Sequence, residues 1–326
     1  MTLTKKQPGI YLDDSISNDL LYADGIIFDC DGVLIDITKS YDFTIDKTVK
    51  YVLENFSQIT DGIKIDSQII DGFKSSGGFN DEVDLTYAAI LSLVAAKKLN
   101  KPQHEFIFDV ISHTDSSGIL SVEKYLEKLV DISDIKNKLS YPGIHNENPL
   151  YKIFDQIFYG PELYSKLFKH KSQFSEPGLI ENDIVIVNKS LIEKLEKRFA
   201  SKLSIVSGRG KESVRYSLKS LLDRFDLKNS AFLEDEPRNM AKPDPESLIR
   251  SINGMKCNHC IYVGDSMEDF IMAKKATEQG CKTTFCGIIG TSKNPQEKLE
   301  LFQHNGAKLV LESINLIPKM VDYQSK

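Results

Sequence analysis

The sequence predicts an α/β fold, a doubly wound parallel sheet interrupted by an all-helical insertion, and three observations carry that prediction. Six short runs, Gly25–Phe28, Leu203–Val206, Ala231–Leu233, Ile261–Val263, Thr283–Cys286 and Lys308–Leu311, are largely apolar or β-branched. Their apolarity is continuous rather than alternating, as strands covered on both faces of a parallel sheet require. Helical patterns separate the last five runs, and 37–180 carries helical spacing.

The elements follow in chain order. Gly25–Phe28 has the character of the later strands, so it belongs with them, and the long gap behind it is a separate domain. Within the gap Ile45, Val49, Val52, Leu53 and Phe56 recur at helical spacing. Segments 83–99, 103–113, 121–130 and 150–169 also read as helices. After it, Ser190 and Glu193 form a capping box ahead of the apolar face Leu191, Leu195 and Phe199. Val214, Leu218, Leu221 and Leu222 mark the next helix. Asp244 before Pro245 starts another, and Met267, Phe270 and Ile271 begin a helix that Gly280 would end. The expected domains are therefore 1–36 with 181–326, the α/β core, and 37–180, the helical insertion.

Composition narrows the function classes. The chain has 326 residues, with 41 basic against 47 acidic side chains and a formal charge of −6. This balance gives no reason to expect a nucleic-acid surface and mildly disfavours an anionic membrane. Residues 1–20 mix charges with isolated apolar residues, unlike a signal peptide, so a cytoplasmic protein is expected. The longest apolar stretch, Ala88–Ala96, is about half of a membrane span and reads as a buried helix. Five cysteines suggest no disulfide framework. The spacings Cys257-x2-Cys260 and Cys281-x4-Cys286 invite a zinc reading. Against it, Cys260 precedes one strand and Cys286 ends the next, which puts them four or five residues, roughly 15 Å, apart.

In open parallel sheets ligands collect beyond the carboxyl ends of the strands. There the sequence carries Asp29-Cys30-Asp31-Gly32-Val33, then Ser207-Gly208-Arg209, then Gly264-Asp265-Ser266-Met267-Glu268-Asp269, with Lys242-Pro243 between the third and fourth runs. Taken singly, each of these residues is equally a turn former or helix cap, and Lys242 a solvated lysine. Arg209 either reaches a substrate or faces solvent. As an ordered set they resemble the four motifs of the haloacid dehalogenase superfamily, Asp-x-Asp, Ser or Thr, Lys, and Gly-Asp-x-x-x-Asp. The resemblance covers 25–36 and about 190–311 and implies a Rossmann-like core.

It also implies a chemistry. Asp29 would be the nucleophile that accepts a phosphoryl group, since a carboxylate can form an aspartyl phosphate. Asp31 would protonate the leaving alkoxide and later deprotonate the hydrolytic water. Members acting on halogenated acids lack this second Asp, so its presence favours phosphate chemistry. A magnesium ion would bridge nucleophile and phosphate, held by the Asp29 carboxylate, the Asp31 main-chain carbonyl and Asp265. Asp269 would support a metal-bound water or orient Lys242. Ser207 and the Gly208 amide would hold phosphoryl oxygens, and Lys242 would offset the clustered carboxylates.

Family members with an insertion after the first motif carry a helical cap that presents specificity residues. The most suggestive loop in this insertion is 75–81, where Gly77 and Gly78 permit close backbone approach and Asn80 offers hydrogen bonds to a substrate. Equally, it is a helix–helix turn in which Asn80 or Asp81 caps the next helix. The core resembles phosphoglycolate-phosphatase-like members. Segments 77–86 and 177–182 are similar to a branch with some relatives associated with histidine-pathway enzymes, so histidinol phosphate joins phosphoglycolate and sugar phosphates as a candidate ester. A phosphosugar mutase and a non-catalytic regulatory domain are the competing readings. The expected partner is a small phosphate ester, with no nucleic acid or membrane, and the protein a monomer or homodimer.

Overall fold

The computed structural model describes residues 3–79, 81–144, 147–237 and 240–321. They form two compact units, Met1–Ile37 with Asp183–Lys326, and Thr38–Asn182. The divisions fall one and two residues later than the sequence places them.

The first unit contains β1 (Thr4–Gln7), β2 (Ile10–Leu12), β3 (Gly25–Phe28), β4 (Ile35–Asp36), β5 (Ile184–Val185), β6 (Leu203–Ser207), β7 (Ala231–Phe232), β8 (Cys260–Gly264), β9 (Thr283–Ile288) and β10 (Leu309–Leu311). Eight of them form one sheet in the order β1-β2-β10-β9-β8-β3-β6-β7. All six expected strands are present, and every pairing among them is parallel. From β3 the chain builds β6 and β7 on one side, then β8 to β10 on the other. The carboxyl end of β3 is therefore the topological switch point, where a parallel sheet opens a crevice.

Burial explains the continuous apolarity. Ile26 and Phe28 pack into one hydrophobic cluster with Leu203, Ile205, Ile261 and Val263, whereas Ile27 packs into another with Val206, Tyr262 and Cys260. Successive residues point to opposite faces, and both faces are covered. The same alternation disposes of the zinc reading. Cys260 and Cys286 lie in different clusters, on opposite faces of the sheet. Their separation needs correction: Cys260 opens its strand opposite Thr283, leaving Cys286 three positions along, about 10 Å.

Two features were not expected. β1 and β2 form an antiparallel pair that extends the sheet beyond β10. β4 and β5 form a second, two-stranded ladder, with Ile35 opposite Val185 and Asp36 opposite Ile184. This ladder ties the departing chain to the returning one within the α/β unit. One cap was misplaced: Asn188, not a box at Ser190, starts the helix Lys189–Phe199, its side chain accepting from Leu191 N. Asn188 has extended backbone, and Ser190 is already inside the helix. Asp244 accepts from Glu246 N, but Pro245 rather than Asp244 stands at the N-cap position of the helix Glu246–Gly254.

The second unit is helical: Thr38–Ser57, Ser67–Ser75, Glu82–Lys98, Gln103–Ser112, Ile119–Leu126, Ser133–Leu139 and Pro149–Phe168. Helices 67–75 and 133–139 were not foreseen, being too short for periodicity to register. Ala88–Ala96 lies in Glu82–Lys98, buried on every side, as a helix apolar all round must be. Among the described residues no helix is long and apolar enough to cross a membrane.

Loop 75–81 has a packing role within this unit. Asp81 caps Glu82–Lys98, accepting from Val83 N at 2.8 Å. Gly78 lies against the backbone of Gly118, and a Cβ there would fall 2.5 Å from Gly118 N. Gly77 has φ +79 with open space around its Cβ position. Asn80 lies outside the described residues. Gly78→Ala is therefore expected to lower the urea midpoint by the equivalent of about 1–3 kcal/mol, as overpacking does. Gly77→Ala would act through the left-handed backbone alone, at about 1 kcal/mol.

Candidate active site

Asp29 follows β3 directly, with its amide donating to Val263 O at 2.8 Å on the neighbouring strand. The chain then turns tightly: Gly32 N donates to Ile35 O at 2.8 Å, and Gly32 has φ +70. A side chain at Gly32 would collide with Asp265, whose Oδ2 lies 2.4 Å from an ideal Cβ. Glycine is thus what lets the ends of β3 and β8 bring their carboxylates together. Thr291 Oγ1 steadies the turn by donating to Gly32 O at 2.8 Å.

Lys242 joins two of these acids. Its Nζ is 2.9 Å from Asp29 Oδ1 and 2.7 Å from Asp269 Oδ1. Tyr262, on β8, donates to the same Asp269 oxygen at 2.8 Å. The other oxygen of Asp269 accepts from the amides of Asp265 and Ser266 and from Ser266 Oγ. Ser266 and Asp269 form a reciprocal capping box at the start of Met267–Glu278. Local helix chemistry therefore places Asp269, and five donors occupy its two oxygens.

The electrostatics follow from burial. Asp29 is pushed up to about 8, first by desolvation and then by Asp269, Asp265 and Asp31, with Lys242 opposing. Burial works against the charge on Lys242, yet Asp269 and Asp29 outweigh it and hold the ammonium well above the ordinary lysine value. Asp269 is lowered despite its burial, because Lys242, Tyr262 and Ser266 all favour the carboxylate. Burial and Asp269 together keep Tyr262 a neutral donor.

Asp29, Asp265 and Asp269 each offer an oxygen within 4.8 Å of the others. An all-oxygen set suits a hard cation such as magnesium. Because Asp269 is already saturated by donors, Asp29 and Asp265 are the side chains that fit such an ion, with Asp269 orienting Lys242. Asp265 also carries a partner that the motifs gave no sign of, Lys298, whose Nζ is 2.7 Å from Oδ2.

Ser207 ends β6 beside β3, fully buried. Its Oγ accepts from Arg209 N at 3.3 Å. A Cβ at Gly208 would meet nothing within 4 Å, so the loop keeps open space beside the backbone. Asp31 is paired with Arg209, Nε to Oδ1 2.7 Å. The strand-end residues of the sequence reading are thus assembled in one unit: Asp29, Asp31, Ser207, Gly208, Lys242, Asp265 and Asp269. Gly77 and Gly78 belong to the other unit. Tyr262, Lys298, Arg209 and Asp183 are the partners that sequence reasoning missed or left undecided. Among Tyr262, Lys298 and Asp183, only Tyr262 carried a local signal, a polar group inside a fully buried strand.

Comparison with known proteins bears on the family and the fold. A family model described as haloacid dehalogenase-like hydrolase matches residues 77–284, more than half of the chain. The match begins after Asp29 and Asp31. A phosphatase from Thermococcus thioreducens superposes with a TM-score of 0.56 at 24% identity, covering 86% of this chain and 99% of its own. A structural-genomics target superposes at 0.64 with 17% identity, covering 92% and 98%. One curated relative, imidazoleglycerol-phosphate dehydratase of Phytophthora nicotianae, is 22% identical over 256 residues, 77% of this chain. The chain spans 41% of that relative's length.

Proposed function

From the premise that this chain belongs to the haloacid dehalogenase-like hydrolases, we propose that it is a magnesium-dependent phosphatase acting on a small phosphate monoester through a phosphorylated Asp29. One observation carries the reading: a buried carboxylate at the switch point, bridged by Lys242 to Asp269 and facing Asp265 across a glycine turn. Magnesium, when bound to Asp29 and Asp265, would neutralise the repulsion between the nucleophile and a phosphate dianion.

The residues then divide the work. Asp29 attacks phosphorus and the bond to the leaving oxygen breaks, while the Asp31 carboxyl gives that oxygen its proton. Asp31, now a carboxylate, takes a proton from water. The water oxygen attacks phosphorus, the bond to Asp29 breaks, and free phosphate leaves. Ser207 Oγ and the Gly208 amide hold phosphoryl oxygens, and Lys242 offsets the charge that gathers on the transferring group. Asp269 fixes Lys242.

A panel of phosphate esters, assayed with and without magnesium, tests the reading. It includes phosphoglycolate, sugar phosphates and histidinol phosphate, the last because the curated relative is named for an imidazole phosphate ester. Release of inorganic phosphate from one or more esters only with magnesium is expected. Isomerised sugar phosphate without net release would point to a mutase, and a folded protein inert on the whole panel to a regulatory domain.

Metal binding carries its own prediction. Asp29 must be ionised to hold a cation, and its acidity is weakened to about 8. Magnesium affinity is expected to strengthen as pH rises through 6 to 8, by up to about tenfold per unit, with a proton released on binding. Calorimetry in two buffers of different ionisation enthalpy reads that proton. A pH-independent affinity without release would contradict it.

A further inference from the structure

Arg209 neither faces solvent nor extends freely into the crevice. It is 3% exposed, and its guanidinium joins two carboxylates. Nε is 2.7 Å from Asp31 Oδ1, while Nη1 donates to Asp183 Oδ2 at 2.8 Å and Nη2 to Asp183 Oδ1 at 3.3 Å. Ser217, on the helix Lys211–Leu218, donates to Asp183 Oδ2 at 2.7 Å and accepts from Nη1 at 3.2 Å. Side-chain exposure is 1% for Arg209 and 3% for Asp183, against 25% for Asp31. One end of this chain of contacts is thus held in the interior, and the other is the group that meets solvent.

The anchor is also placed by the backbone. Asp183 is the first residue of the α/β unit after the insertion, directly ahead of β5. The ladder of β4 with β5 fixes that return against Ile35 and Asp36, the residues that follow the Asp31 turn. Arg209 thus links the two segments: its Nη1 and Nη2 hydrogen-bond Asp183 in the fork geometry that a lysine ammonium lacks, and its Nε makes a close ion-pair contact with Asp31.

We propose that Arg209 is the positioning residue for Asp31: anchored by Asp183 and Ser217, it holds the Asp31 carboxyl where it exchanges protons with the leaving group and the water. This rests on the phosphatase reading above. The competing account is a buried ion pair that serves stability alone.

Arg209→Lys and the double variant Arg209→Met with Asp183→Asn separate the two, the second leaving no buried carboxylate without its cation. Folding is checked by near-ultraviolet circular dichroism. Each protein is then assayed with magnesium on the best alkyl ester of the panel and on 4-nitrophenyl phosphate. Nitrophenolate departs without a proton, so its release tolerates a misplaced acid, whereas the water step still needs the base. Alkyl-ester turnover is expected to fall about 10- to 100-fold. With the nitrophenyl ester, rapid mixing should show a burst of about one nitrophenolate per chain ahead of slow turnover, a burst weaker or absent in wild type.

Unchanged turnover in folded variants, or equal losses on both esters without a burst, overturns the proposal. A wild type that releases phosphate from neither ester refutes the phosphatase reading, and the role of Arg209 falls with it. An active wild type with unaffected variants refutes the role of Arg209 alone.

Discussion

Asp29→Asn is expected to reduce phosphate release by at least about 10⁴-fold, the scale on which loss of a covalent nucleophile acts. The same change should raise the stability of the metal-free protein at alkaline pH. Asp29 is buried and its acidity weakened to about 8, chiefly by desolvation. A carboxyl whose folded value is raised binds its proton more tightly folded than unfolded. The stability tied to it is complete below the ordinary carboxylate range and is lost as pH rises through about 8. Asn has no such proton to lose. In metal-free samples the melting temperature of the variant should therefore gain on wild type as pH climbs from 5 to 8. Full activity in the variant would remove the nucleophile, and a pH-independent difference in melting would remove the electrostatic account.

Lys242→Met should act in the opposite direction on stability. Lys242 is the cation that serves both Asp29 and Asp269, and Asp269 is fully buried. Breaking a buried ion pair by removing one member costs about 3–5 kcal/mol, because the remaining charge is left without compensation. Urea unfolding of the metal-free variant should show a loss of that size. Adding Asp29→Asn should recover part of it, since the double variant no longer has to keep a buried carboxyl protonated against the pH. Two changes that share a partner are not additive. A double variant no more stable than Lys242→Met alone would mean that Asp29 carries no such cost.

These expectations begin with residues that are visible in the sequence. A strand buried on both faces must be apolar at every position, so β3, β6, β8 and their neighbours show themselves in the order of residues. The residue after each such strand emerges at the carboxyl edge of the sheet, so the order of residues alone assigns Asp29, Ser207 and Asp265 to one edge. The first two strands escape notice because β1 is mostly exposed and β2 has three residues. Helices 67–75 and 133–139 are short enough that an apolar face repeats barely twice.

The partners behave differently. Lys298 reaches Asp265 from 33 positions away, and Asp183 reaches Arg209 from 26. Neither lies at a spacing that a strand or helix imposes. The tertiary structure alone decides that Arg209 is buried rather than solvated, that five donors consume Asp269, and that Gly78 packs against Gly118. Backbone state and burial period are local properties and are written into consecutive residues. Ion pairs and close backbone approaches depend on where separate elements end in space, and only the folded chain brings those ends together.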